Sequence, residues 1–123
     1  MKSILVIDDE EQLVKMVCTM LEREGYRVSV AQNGKQGMRL FRQEPVDLVI
    51  TDIFMPEKEG LETIRELRRE FPGIKIIAMS GGMAKAEGFS ALPLAEKLGA
   101  DHTLVKPFRR TELLSLVAEC LAD

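Results

Sequence analysis

Apolar residues fall along this chain in two alternating rhythms. Short, largely β-branched runs at residues 4–7, 28–31, 48–51, 74–79 and 103–105 are bounded by polar or helix-breaking residues, and they predict five buried strands. Elsewhere the apolar positions recur every three or four residues. Leu13, Val17, Met20 and Leu21 make one helical face, and Leu113, Leu114, Val117, Cys120 and Leu121 make another near the end. Strands that alternate with helices belong to a parallel sheet, because each parallel connection needs a crossover, and helices then cover both faces. The expected fold is therefore α/β, a doubly wound five-stranded parallel sheet.

The breakers fix the ends of these elements. Gly25, Pro45, the Pro72-Gly73 pair and Gly99 each stand where a helical pattern gives way to the next strand. Short turns should gather at that end of the sheet. Polar clusters should gather at the other end: Asp8-Asp9-Glu10-Glu11 after the first strand, Asp52 after the third, Ser80-Gly81-Gly82 after the fourth and Lys106-Pro107 after the fifth. Doubly wound sheets bind their ligands at the carboxyl ends of the strands, near the topological switch point.

Composition narrows the class. A chain of 123 residues with 46% hydrophobic content suits one compact domain over residues 1–123, and no repeat, linker or low-complexity tail interrupts the pattern. Seventeen basic against twenty acidic side chains leave no basic stripe to neutralise phosphates, so direct nucleic-acid binding is not expected. The apolar run at 4–7 is cut off by Asp8, far short of a signal peptide or a membrane span, and a cytoplasmic protein without membrane insertion is expected. Cys18 and Cys120 lie in apolar helical patterns with no Cys or His at metal spacing, and they read as small buried hydrophobes.

The acidic residues carry the chemistry. Asp8, Asp9 and Asp52 would converge if the first and third strands are neighbours, and two unit charges about 4 Å apart repel by about 4 kcal/mol at an effective dielectric of about 20. Such a cluster needs a cation or raised pKa values. All its donors are oxygens and few are side chains, so that a phosphoryl oxygen can complete the shell, which suits Mg2+ better than a calcium cage. Lys106 then offers a point charge and Ser80 a hydroxyl donor to an anion beside the metal. Asp52 is the candidate nucleophile, attacking phosphorus while these groups stabilise charge on the transferred oxygens. Taken singly, each signal has a plainer reading. Asp8 and Asp9 suit a helix cap, with Glu10 and Glu11 favouring its dipole; Asp52 suits a turn before Met55-Pro56, and Lys106-Pro107 a strand-to-helix turn. The specificity lies in their combination, each at the end of a different strand.

Over essentially its whole length the chain resembles a receiver domain of the two-component response regulators. The matching stretches are ILVIDDEE, the NG of AQNGKQG, DLVITDIFMPEKEG, the Ser of IIAMSGG, and GADHTLVKPF. The resemblance implies a flavodoxin-like (βα)5 fold with strand order 2-1-3-4-5. It also implies Asp52 as the phosphoacceptor, and a magnesium ion held by Asp9 and Asp52, by Asp8 mainly through water, and by the backbone carbonyl of Phe54. Ser80 stands at the family's switch Ser/Thr position and Lys106 at that of its lysine, with a cis Lys106-Pro107 bond. The implied donor is a histidine kinase or histidine phosphotransfer protein. Such a chain phosphorylates and dephosphorylates itself and is a switch, not a turnover enzyme.

Departures from the family pattern shape further expectations. Thr103 stands three positions before the lysine, where an aromatic residue is usual, and His102 beside it reads as a surface or strand-edge residue. Phe54, two residues after Asp52, is expected to shield an acyl phosphate from water. Gly81, Gly82 and Gly88 predict a loop over 81–89, with a helix from about Ser90 to about Leu98. A haloacid-dehalogenase-like phosphatase shares the aspartyl chemistry but carries D-x-D after its first strand, where this chain has D-D-E. A flavodoxin would place its flavin phosphate in a hydroxyl-rich loop, and four consecutive acids would repel it. A degenerate receiver acting only as an interaction module lacks phosphorylation residues that are present here. A natural single-domain regulator that works by binding a partner is expected ahead of the excised receiver of a longer protein.

Overall fold

The structure, a computed structural model, describes residues 1–53, 59–80 and 92–122. Five strands, β1 Ser3–Ile7, β2 Arg27–Ala31, β3 Leu48–Asp52, β4 Lys75–Ser80 and β5 His102–Val105, form one sheet in the order β2-β1-β3-β4-β5. Every pairing is parallel. The helices among the described residues are α1 Glu11–Arg23, α2 Gly34–Gln43, α3 Glu59–Glu70, α4 Leu92–Leu98 and α5 Arg110–Leu121. This is the flavodoxin-like, doubly wound fold that the resemblance implies.

Alternate strand residues feed two cores. Leu5, Ile7, Val49 and Ile76 face α2, α3 and α4, where Met38, Phe41, Ile64 and Leu67 meet them. Ile4, Val6, Ile50 and Ile77 face α1 and α5, where Val17, Leu21, Leu113 and Val117 meet them. Because both faces are covered, the central strands read as continuous apolar runs. Each fully buried aliphatic side chain contributes about 1.5–3 kcal/mol of burial. Cys120 is buried in the second core and Cys18 packs at its margin.

The breakers act as expected at two helix ends. Gly25 (φ +91°) and Gly99 (φ +127°) take left-handed conformations that side chains rarely adopt, and turn the chain from α1 into β2 and from α4 into β5. Each strand differs from its apolar run by one residue at one end or both, and only in β4 does an expected residue fall outside the strand. Ile74 was expected in the fourth strand, but its N–H donates to the Phe71 carbonyl at 3.1 Å in the preceding turn, and β4 begins at Lys75. The helix expected from about Ser90 is described from Leu92, while Ser90 and the loop expected over 81–89 lie outside the described residues.

Candidate functional site

Register places the polar strand ends side by side. Ile7 pairs with Thr51, Asp52 with Met79, and Ser80 with Val105, so Asp8, Asp52, Ser80 and Lys106 emerge from adjacent strands at one edge. The strand order makes β1 and β3 direct neighbours at the switch point, where the acidic residues meet. Carboxylate oxygens of Asp8, Asp9 and Asp52 lie within 4.8 Å of one another. Asp8 is 1% exposed, Asp52 5% and Ser80 4%, whereas Asp9 is open to solvent.

Lys106 binds the cluster together. Its ammonium donates to Asp8 Oδ2 at 2.9 Å and to Asp52 Oδ2 at 3.2 Å, and Glu10 Oε2 stands 3.9 Å away. Burial works against the charged ammonium, but the hydrogen bond to Asp8 and the charges of Asp52 and Asp8 outweigh it, so the lysine titrates above its ordinary range. It stays a cation at any physiological pH. The backbone holds it in place: Lys106 N–H donates to the Ser80 carbonyl at 2.8 Å, and the Lys106-Pro107 peptide is cis.

Asp8 also has a local role. Its Oδ1 accepts the N–H of Glu10 at 2.9 Å, while Glu10 is the residue that caps α1 and makes no capping bond with its own side chain. That bond closes a turn just before the helix, so Asp8 is not itself the cap of α1, and its two oxygens serve the turn and the lysine. Of the sequence-predicted residues, the structure brings Asp8, Asp9, Asp52 and Lys106 together and sets Ser80 on the adjoining strand; Phe54 lies outside the described residues. Two neighbours escaped the sequence reading. Glu10 adds a third carboxylate near Lys106, and the Thr51 hydroxyl donates to the Asp52 carbonyl at 3.1 Å. The acidic run signals Glu10; nothing in the sequence singles out Thr51.

The geometry agrees with the comparisons to known proteins. The family model for the response regulator receiver domain matches residues 4–118. The transcriptional regulatory protein CpxR of Klebsiella pneumoniae is 34% identical over 123 residues, covering 98% of this chain and 50% of CpxR. PhoP of Bacillus subtilis, the alkaline phosphatase synthesis transcriptional regulatory protein, is 35% identical over 120 residues, covering 98% of this chain and 48% of PhoP. The chain thus spans about half the length of these curated relatives. Among solved structures, the response regulator TrrA of Thermotoga maritima, determined in complex with Mg(2+)-BeF, superposes with a TM-score of 0.84 at 36% identity, covering 98% of this chain and 100% of that one. A response regulator receiver domain protein from Clostridium thermocellum gives a TM-score of 0.87 at 30% identity over 98% of this chain and 94% of its own. The chain belongs to the receiver-domain family of the two-component response regulators.

Proposed function

We infer that this receiver is a working phosphoacceptor, with Asp52 taking a phosphoryl group from a histidine kinase or histidine phosphotransfer protein. The observation that carries the reading is the convergence of three carboxylates within 4.8 Å of one another, two of them bonded by a lysine at 2.9 and 3.2 Å. The donor set fits magnesium, since it is all oxygen, carries excess negative charge, and leaves one side open at Asp9. Asp8, Asp9 and Asp52 would hold the ion, with the Phe54 carbonyl as the further ligand that the family resemblance implies. When bound, magnesium supplies a hard positive charge beside the phosphoryl oxygens.

The chain's own residues do the rest. An Asp52 carboxylate oxygen forms the new bond to phosphorus as the donor's bond breaks, and the donor leaves with the electron pair. Lys106, which remains charged, sits close enough to pair with a phosphoryl oxygen once Asp52 is modified, and the Ser80 hydroxyl on the adjacent strand offers a second donor. Because the chain transfers the group to itself, it is a switch and not a turnover enzyme. Among the described residues no helix is long and apolar enough to cross a membrane. The kinship with two-component response regulators supports a cytoplasmic switch that acts through a protein partner. Incubation with acetyl phosphate and magnesium should add one base-labile phosphoryl group. Asp52→Asn should abolish the labelling and Asp9→Ala should nearly do so; undiminished labelling of Asp52→Asn would sink the assignment.

A further inference from the structure

The first turn of α3 bears on the end of β3 more closely than any side chain would permit. Gly60 is buried, and a methyl group built on its Cα would overlap the carbonyl oxygen of Asp52 and the Cα of Ile53, and would lie 2.9 Å from the Ile53 carbonyl carbon. All three atoms are backbone. They cannot rotate aside as the tip of a side chain can, so only glycine tolerates this approach.

The Asp52-Ile53 peptide is held from its other sides as well. Ile53 N–H donates to the Met79 carbonyl of β4 at 2.9 Å, and the Thr51 hydroxyl donates to the Asp52 carbonyl at 3.1 Å. The Ile53 side chain is buried in the core with Ile64 and Leu67 of α3. The helix is pinned in turn, because Arg68 donates to the Pro72 and Gly99 carbonyls and to Asp101. A side chain at position 60 can therefore be accommodated only by moving the peptide that carries the Asp52 carboxylate, or the helix clamped against it.

We propose that Gly60 is a positioning residue for the chemistry at Asp52: lacking a Cβ, it lets α3 clamp the Asp52-Ile53 peptide and so aims the carboxylate at Lys106 and at the Asp8 and Asp9 oxygens. The inference rests on Asp52 being the phosphoacceptor. Nucleophilic attack depends steeply on placement, a 1 Å error costing about a hundredfold, whereas stability responds only to the local packing. Gly37 of α2 supplies an internal comparison. A Cβ there also collides, but with Cδ1 and Cγ1 of the Ile7 side chain in the core and not with backbone.

The test compares wild type, Gly60→Ala and Gly37→Ala at a temperature where circular dichroism shows each to be folded. The readouts are the labelling rate with acetyl phosphate and magnesium, and beryllofluoride occupancy followed by fluorine NMR. Gly60→Ala should label about tenfold more slowly or worse per folded molecule and bind beryllofluoride more weakly, while Gly37→Ala stays within about twofold of wild type on both. Equal labelling in Gly60→Ala and wild type, or an equal loss in Gly37→Ala, would overturn the inference while leaving Asp52 as acceptor. Wild-type labelling that survives Asp52→Asn would overturn both. If Gly60→Ala does not fold, the wild-type protein decides: filling the site with beryllofluoride should shift the Gly60 Hα resonances more than those of Gly37, and unmoved Gly60 signals at full occupancy would count against the clamp.

Discussion

The ammonium of Lys106 stands 2.9 Å from Asp8 Oδ2 across a sequence separation of 98 residues, and this contact joins the last strand to the first. The two partners come from β-strand ends separated in the sheet by β3 and β4, so the lysine reaches over the neighbouring strands to find the carboxylate. With its side chain 14% exposed, Lys106 places one countercharge within 3.2 Å of both Asp8 and Asp52. It occupies electrostatically the role that a divalent cation can share.

A charge-balance prediction follows for Lys106→Met. Removing the ammonium takes a charged hydrogen-bond donor from two buried carboxylates, and breaking such a pair costs about 3 kcal/mol. Magnesium should return much of that loss. Urea unfolding with and without excess magnesium measures it, and the stabilisation by magnesium should be larger in Lys106→Met than in wild type. An equal increment in the two proteins would show that the lysine does not carry the countercharge.

How much of this was legible in the sequence depends on the distance over which each feature acts. The runs at 4–7 and 48–51 name their strands because burial on both faces favours largely apolar residues, and Asp8 and Asp52 name the site because they follow those runs directly. The neighbourhood of β1 and β3, by contrast, came from family resemblance, since no local pattern encodes which parallel strands pair. Gly60 closes the matching stretch DLVITDIFMPEKEG, but no sequence pattern assigns it a role. Its meaning lies in the backbone of Asp52 and Ile53 against it, which only the packed structure reveals. Ile74 marks the limit of periodicity: it is apolar and buried, as Ile76 and Ile77 are, but its N–H is spent on the turn and not on the sheet.

The start of α2 offers a local test. Asn33 Oδ1 accepts the Gln36 N–H at 2.8 Å, and the Gln36 side chain accepts the Gln32 N–H at 2.7 Å, so two backbone donors at this helix start depend on side chains. Asn33→Ala should cost about 1 kcal/mol in chemical denaturation, and Asn33→Asp, which keeps an acceptor, should cost much less. Equal losses from the two substitutions would mean that the cap is not what Asn33 contributes.

Cys120 predicts a pH effect. Burial, and then the charge of Asp101, push its thiol from about 9 up to about 11. The unfolded chain therefore releases this proton first, and the contribution to stability is intact below pH about 9 and declines as pH rises toward about 11. At pH 8 only about a thousandth of the folded thiol is thiolate, so alkylation of Cys120 should be slow in native buffer, slower than at half-buried Cys18, and fast in denaturant. Mass spectrometry of timed iodoacetamide reactions reads both sites, and rapid native labelling of Cys120 would contradict its burial.

The last prediction concerns the end of the sheet away from the acidic site, where Arg68 and Asp101 share work. Arg68 donates to the Gly99 carbonyl through Nε at 3.1 Å and Nη2 at 2.7 Å, to the Pro72 carbonyl through Nη1 at 2.6 Å, and to Asp101 Oδ2 at 2.8 Å. The same Asp101 oxygen accepts the Ile76 N–H at 2.8 Å, and Asp101 N–H returns a bond to the Ile76 carbonyl at 2.8 Å. Ile76 is fully buried, so truncating Asp101 leaves its N–H without that acceptor, an unsatisfied group that costs about 1–3 kcal/mol. Arg68→Ala removes the donors from carbonyls nearer the surface, where water can replace them, and should cost less than Asp101→Ala. Asp101→Asn keeps an oxygen for Ile76 but loses the charge facing Arg68, and should fall between wild type and Asp101→Ala. Because the two side chains meet at one oxygen, Arg68→Ala combined with Asp101→Ala should destabilise by less than the sum of the single changes, with a coupling of about 0.5–1 kcal/mol for a pair that is partly solvated. A double-mutant cycle in urea, with unchanged m-values to certify the two-state transition, measures that coupling. Strict additivity would mean that Arg68 and Asp101 act on the α3–β4 and α4–β5 turns independently.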